Sequence, residues 1–296
     1  MKDAFSSYHP GVNFLYFAFI FGFTMVFMHP ICLLISLICA FIYSIELKGR
    51  KAIKFNLLVL LPVMLITALI NPAFNHEGAT IITYLPTGNP LTLESIVYGL
   101  AAATMLGTIF TWFTCYNEIM TSDKFVYIFG RIIPGLSLIL SMALRFVPKF
   151  KAQLKVVSEA QRSIGRDVSN GEVFERIRHG LTILSIMITW ALENSIETAD
   201  SMKSRGYGLP GRTAFSIYSF DKRDKKAMAA IVTLGGYVLL GGLAGGLKWR
   251  YFPTMGGRSL GLYSLSLWIS YLLLCIVPII ANRQEERQWK ATKLKT

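Results

Sequence analysis

The sequence predicts an all-α polytopic membrane protein with about six or seven membrane segments and a long helical insert on the cytoplasmic side. Hydrophobic residues make up 53% of the 296 and charged residues only 16%, where a soluble domain carries about a quarter charged. The apolar residues are gathered into blocks of about twenty, the length a helix needs to cross a bilayer core of ~30 Å. In lipid such a block must satisfy its own backbone hydrogen bonds, which selects helices. Transmembrane strands would alternate apolar and polar residues, whereas Phe17 to Val26 is almost entirely apolar. The net charge of +13 fits an anionic membrane face, because Lys and Arg flank the apolar blocks. No run of basic residues interleaved with aromatics points to nucleic acid.

The first block, residues 12–28, ends at His29-Pro30 and reads as retained. Pro30 lacks a backbone donor and clashes with the preceding turn. It therefore separates this block from the second, Ile31 to Ile45, as a hairpin with a tight turn. Lys48, Arg50, Lys51 and Lys54 follow and assign that loop to the cytoplasm. The third block runs from Phe55 to Ile70. Residues 71–92 contain no Lys or Arg, but do contain Pro72, Pro86 and Pro90, so they read as irregular and external. The fourth block, Leu93 to Tyr116, returns the chain inside. Phe125 to Val147 is apolar enough to span, although Arg131 and Pro134 lie within it. Either it dips into or lies along the membrane as an amphipathic segment, or it spans and an earlier hairpin does not. The last blocks are Ala227 to Leu247 and Leu260 to Ala281, joined through Lys248, Arg250 and Arg258. The tail carries Arg283, Arg287, Lys290, Lys293 and Lys295, which makes both termini cytoplasmic. Three regions result: membrane segments over 1–147, a cytoplasmic insert over 148–226, and membrane segments with a basic tail over 227–296.

The insert is strongly basic and long for a loop, and such loops carry function or their own structure. Phe150, Leu154 and Val157 recur at helical spacing, as do Val173, Ile177 and Leu181. Leu181 to Leu192 is an apolar run too short to span, which predicts a helix buried against protein. Two helical stretches end alike: Gln161-Arg162-Ser163 is followed by Gly165, and Ser204-Arg205-Gly206 by Gly208, Pro210 and Gly211. Glycine past a helix end accepts the left-handed cap conformation, and arginine in a last turn suits the helix dipole. The same arginines, each a rigid fork of donors, can instead clamp carboxylates or carbonyls of a partner.

Chemistry-bearing constellations are missing. Cys32, Cys39, Cys115 and Cys275 lie in or beside apolar blocks and form no CxxC pair. His9, His29, His76 and His179 are scattered without ligand spacing. No paired aspartates or Ser-His set marks an intramembrane hydrolase, so no catalytic residue, metal or cofactor is expected. Gly241 to Lys248 lacks the Gly-Lys-Ser/Thr of a phosphate loop. Instead Gly241 with Gly245, and Gly242 with Gly246, have GxxxG spacing, suited to close helix packing within the chain or against a partner. Glu94 and Glu118 lie near block ends, which argues against the paired intramembrane carboxylates of a secondary transporter. A secondary transporter and a membrane scaffold are the rival readings.

Ser141-Met142-Ala143-Leu144-Arg145-Phe146-Val147-Pro148, then Glu159 to Ser163, then Ala199 to Gly208, resemble the EcfT/CbiQ family, the transmembrane component of energy-coupling factor transporters. The hallmark of that family is a pair of X-Arg-X motifs at the ends of cytoplasmic coupling helices. Gln161-Arg162-Ser163 and Ser204-Arg205-Gly206 are the matching residues here. The second is the closer match; at the first, members often carry Ala-Arg-Gly, and this chain departs from that pattern with Ser163 and a displaced Gly165. The resemblance implies docking through both motifs onto two ATP-binding-cassette ATPase subunits, which would supply the hydrolysis. It also implies a small, separate membrane protein that binds the substrate, a vitamin or transition-metal ion, in a bacterial or archaeal cell membrane.

Overall fold

The computed structural model describes residues 3–84, 88–168, 172–207, 209, 218–257 and 261–293. The chain folds as two compact units: residues 1–124 with 218–296, and residues 125–217.

The first unit is the membrane bundle. A 3₁₀ turn at Phe5–Ser7 precedes α1 (Pro10–Val26) and α2 (Pro30–Lys48). Both helices begin with the same device. A histidine takes the N-cap position before a proline, and the following N–H donates to its Nδ1: Gly11 to His9 at 3.1 Å and Ile31 to His29 at 3.3 Å. Proline suits the first helical position because its missing N–H would be unpaired there anyway. Gly49, at φ 56°, turns the chain from α2 into α3 (Arg50–Phe55). A π-helical turn at Asn56–Leu60 follows, and α4 (Leu61–Phe74) carries on beyond it, with Pro62 in its first turn. The chain then forms a hairpin of β1 (Ile81–Tyr84) and β2 (Pro90–Thr92) where an irregular loop is expected. Next comes α5 (Leu93–Ile119), capped by Thr92 Oγ1, which accepts from the Ser95 N–H at 3.3 Å.

The remaining bundle elements are α9 (Lys222–Leu243), a small hairpin of β3 (Trp249–Arg250) and β4 (Gly256–Gly257), and α10 (Leu262–Lys293). The tail expected as a basic extension thus continues the last helix. Among the described residues, five stretches are long and apolar enough to cross a membrane: Pro30–Lys48, Arg50–Phe74, Leu93–Ile119, Lys222–Leu243 and Leu262–Arg287. Pro10–Val26 is apolar and shorter. The chain is an all-α polytopic membrane protein.

Aromatic residues build the bundle core. Tyr16, Phe17 and Ile20 of α1, Tyr43 of α2, Trp112 of α5 and Tyr271 of α10 are fully buried there. Tyr16 meets Trp112 edge to face at 6.0 Å, a favoured aromatic geometry. Two side-chain polar pairs lie within this core: Trp112 Nε1–H donates to Ser36 Oγ at 2.9 Å, and Thr24 Oγ1 lies 3.3 Å from the Tyr271 hydroxyl. Two glycines of α5 bring α4 close. A Cβ at Gly99 would sit 2.8 Å from the Ala68 carbonyl, and one at Gly107 would meet Met64. The outer face of the π turn and α4, including Leu58, Leu61, Leu65 and Leu69, is exposed, as lipid-facing residues must be.

The second unit holds most of α6 (Ser122–Ile132), then α7 (Pro134–Ser163) and α8 (Val173–Ser204). The block at 125–147 is therefore two helices, broken at Ile133 (φ −132°, ψ 85°). The residue before a proline is pushed out of the α region by the proline ring. α7 and α8 pack through Val157, Ile183 and Met187. Trp190 meets Phe150 edge to face at 5.2 Å, while Lys149 donates to Asn194 Oδ1 at 2.9 Å. The run Leu181 to Leu192 is helical as expected, but it is buried only in part. Ile183 and Met187 are covered, whereas Leu181, Leu184, Ile188 and Leu192 are exposed. The cover comes from the face turned toward α7, and one neighbouring helix shields only one stripe of a cylinder.

Candidate functional site

The two arginine motifs lie at the C-terminal ends of α7 and α8, and the backbone there follows one design. At the first end, Gly165 N–H donates to the Arg162 carbonyl and Arg166 N–H to the Gln161 carbonyl, each at 3.0 Å. At the second, Gly206 N–H donates to the Lys203 carbonyl and Tyr207 N–H to the Met202 carbonyl, again at 3.0 Å. These are paired Schellman bonds, which satisfy carbonyls that a helix end otherwise leaves open. They require a left-handed residue just past the cap. Gly165 has φ 80° and Gly206 φ 79°, a region that costs a residue with a Cβ roughly 1–2 kcal/mol. Both helices are thus stopped by glycine backbone.

The arginines sit at different registers on this shared frame. Arg162 is the last helical residue but one of α7, while Arg205 is the cap residue of α8 itself. Counted back from the glycine, Lys203 occupies the place of Arg162, and Ile164 that of Arg205. Arg162 Nε reaches Asp167 Oδ2 at 3.4 Å. Among the described residues Arg205 makes no ion pair. Both side chains are exposed. The flanking serines turn back on their own helices: Ser163 Oγ donates to the Glu159 carbonyl at 3.0 Å and Ser204 Oγ to the Ser201 carbonyl at 2.9 Å. Gln161 is half-buried, and its Oε1 has no partner among the described residues. Apolar side chains stand exposed beside each arginine, Ile164 at the first end and Tyr207 with Leu209 at the second. Each end thus offers a cation framed by apolar surface on a rigid helix terminus. An arginine so placed has the donors to clamp a carboxylate or carbonyl. Gly208, Pro210 and Gly211, read with the second motif, lie outside the described residues.

The four glycines of the GxxxG spacing have separate roles. α9 stops at Leu243, so Gly245 and Gly246 fall beyond it and the spacing does not place them on one helix face. Gly245 is a third left-handed cap glycine, at φ 82°. Gly241 packs on Leu267, Gly242 on Phe27, and Gly246 on Leu267 and Tyr263. All of these neighbours belong to the same bundle.

The sequence reading missed a polar cluster around the first residues. Lys124 is buried. Its Nζ donates to the Ser6 carbonyl, and to that of Ile119 at 3.0 Å. Burial pulls its ammonium below the usual lysine range, against the raising influence of Asp3. Asp3 accepts from the Tyr43 hydroxyl at 3.0 Å, and the Ala4 N–H donates to Asn282 Oδ1 at 2.9 Å. The buried carboxylate of Asp224 accepts from the N–H groups of His9 at 3.1 Å and Asp221 at 3.0 Å. The Asp221-x-x-Asp224 spacing of a capping box was the one signal for this in the sequence. Most of the rest shows no local pattern, because the partners of the first residues lie 40 to 278 residues away.

Comparison with known proteins identifies relatives of this arrangement. The sequence profile of the CbiQ family, described as cobalt transport protein, matches residues 4–215. The energy-coupling factor transporter transmembrane protein EcfT of Lactobacillus helveticus is 30% identical over 141 residues, which cover 46% of this chain and 51% of the relative. EcfT of Lacticaseibacillus paracasei is 33% identical over 109 residues, 36% of this chain and 41% of the relative. EcfT of Staphylococcus aureus is 29% identical over 137 residues, 44% and 50% of the two chains. The chain spans about half the length, or less, of these curated relatives.

Proposed function

The chain belongs to the CbiQ family of cobalt transport proteins, and from that premise we propose that it is the transmembrane coupling component of an ATP-driven importer of the energy-coupling factor type. In this reading the exposed ends of α7 and α8 dock on two ATP-binding-cassette ATPase subunits. Arg162 and Arg205 enter grooves on those subunits, while Ile164 and Tyr207 pack at the groove edges. ATP-driven closure of the ATPases draws the two helix ends together. The exposed apolar stripe of α8, with Leu181, Leu184 and Ile188, suits a membrane protein that carries the substrate, a vitamin or metal ion. Both termini and residues 148–226 face the cytoplasm of a bacterial or archaeal cell, as the basic loops favour.

One observation carries this reading: two matched, glycine-stopped helix ends each expose an arginine that the cap does not need. ATP hydrolysis would come from partner subunits, since the sequence has no phosphate loop of its own. Affinity purification of the tagged chain in mild detergent, with mass spectrometry of what accompanies it, tests the proposal. Recovery of ATP-binding-cassette ATPases with a small membrane protein is the expected result. A chain that purifies alone and intact from several detergents would return the arginines to a local structural role and revive the secondary-transporter reading.

A further inference from the structure

We propose that the polar cavity between the start of α9, the far part of α10 and Tyr8 binds the phosphate-bearing headgroup of an anionic phospholipid. The cavity has a volume of about 320 Å³ and is lined by Lys222, Arg223, Lys226, Tyr8, Gln284 and Glu285. Three cations face one carboxylate. Among the described residues, none of the three forms an ion pair. The neighbouring Asp224 offsets part of this charge, but it is buried and its oxygens already accept from His9 and Asp221.

Arg223 is held ready for a ligand. Its Nη2 donates to Ser7 Oγ at 2.9 Å and to the Ser7 carbonyl at 3.4 Å, and its guanidinium lies 4.3 Å from the centre of the Tyr8 ring. These contacts use one corner of the five-donor fork and leave the others free for phosphate oxygens. The terminus of α9 is itself capped by Asp221, so the attraction comes from side chains.

Position selects lipid over a soluble anion. The apolar part of α9 starts at Ala227, directly after Lys226, and that of α10 ends at Ile280 and Ala281, the latter lining the cavity. The cavity therefore opens where acyl chains give way to headgroups. Basic pockets between membrane helices at this level recognise anionic headgroups, and each basic residue near such a surface contributes about 1 kcal/mol.

The full chain in nanodiscs of phosphatidylcholine containing a minor fraction of phosphatidylglycerol tests this. Lipid retained after exchange would be quantified by mass spectrometry, alongside the melting temperature. The variant Lys222→Gln/Arg223→Gln/Lys226→Gln should lose phosphatidylglycerol enrichment by roughly fivefold per charge removed. The control Arg50→Gln/Lys51→Gln/Lys54→Gln removes the same charge elsewhere and should retain it. Arg223→Lys keeps the charge but loses the fork, and should give an intermediate loss; it also carries the test if the triple variant does not fold. Equal loss in the control would overturn the site in favour of diffuse surface attraction. Displacement of phosphatidylglycerol by millimolar inorganic phosphate, with the same rise in melting temperature, would make it a free-anion site. Both leaflets of a nanodisc have the same composition, so the result does not depend on topology or on the coupling role proposed above.

Discussion

The ends of α7 and α8 share one backbone and differ in what they present. Each stops at a left-handed glycine with two Schellman bonds of the same length. Yet Arg162 lies inside its helix and is tied to Asp167, whereas Arg205 is the cap residue and has no ionic tie among the described residues. A cap made by glycine backbone needs no particular side chain at either position. The difference teaches that stopping the helix and displaying the cation are separate tasks. It also predicts unequal arms, one restrained and one free.

The sharpest test reverses both charges. Arg162→Glu/Arg205→Glu should reduce transport to background and ATPase co-purification by more than about tenfold, since interface arginines are frequent hot spots worth ~2 kcal/mol or more. Expression and melting temperature of the chain should stay within the ~0.5 kcal/mol usual for exposed sites. Loss of folded protein would instead mean that the arginines hold the caps. The next test separates the arms. Arg205→Ala should weaken ATPase binding more than Arg162→Ala, because Arg162 must first leave Asp167. Asp167→Asn should release Arg162 and tighten binding by less than about 1 kcal/mol, as an exposed ion pair is worth little. Equal effects of the two alanines would erase the proposed asymmetry. The smallest effect concerns the frame. Gly165→Ala and Gly206→Ala should each destabilise the local helix end by roughly 1–2 kcal/mol, read as faster amide exchange over the last turn. Gly206→Ala should be the worse, because its Cβ would lie 3.2 Å from Leu209 Cδ1 while that of Gly165 meets open space. Asparagine at either position should recover part of the loss.

Much of this was legible in the sequence because it depends on local rules. Hydropathy marked the membrane stretches, as a bilayer imposes a minimum apolar length. The glycines after Arg162 and Arg205 announced helix ends, and Pro134 announced a break, since both act on the adjacent backbone. Whatever depends on distant partners was illegible. Nothing in residues 79–92 shows that Glu94 will accept from Thr80 Oγ1 at 2.9 Å and anchor a strand pair where prolines suggested irregularity. The apolar run of α8 predicted burial, but periodicity cannot count how many helices will be near enough to provide it. The offset register of the two arginines required knowing which residue takes the left-handed turn.

The ties of the first residues to the last helices have a consequence for biogenesis. Ala4 bonds to Asn282 and His9 to Asp224, across separations of 278 and 215 residues. At roughly 5–20 residues per second of synthesis, the opening segment waits about 15–55 s for its final partner. During that interval Tyr43 and Lys124 are the partners already made for the leading segment, through Asp3 and the Ser6 carbonyl. The bundle therefore closes like a drawstring, its last knot tied at the end of translation, and a nascent chain stalled before α10 lacks the Asn282 tie to Ala4.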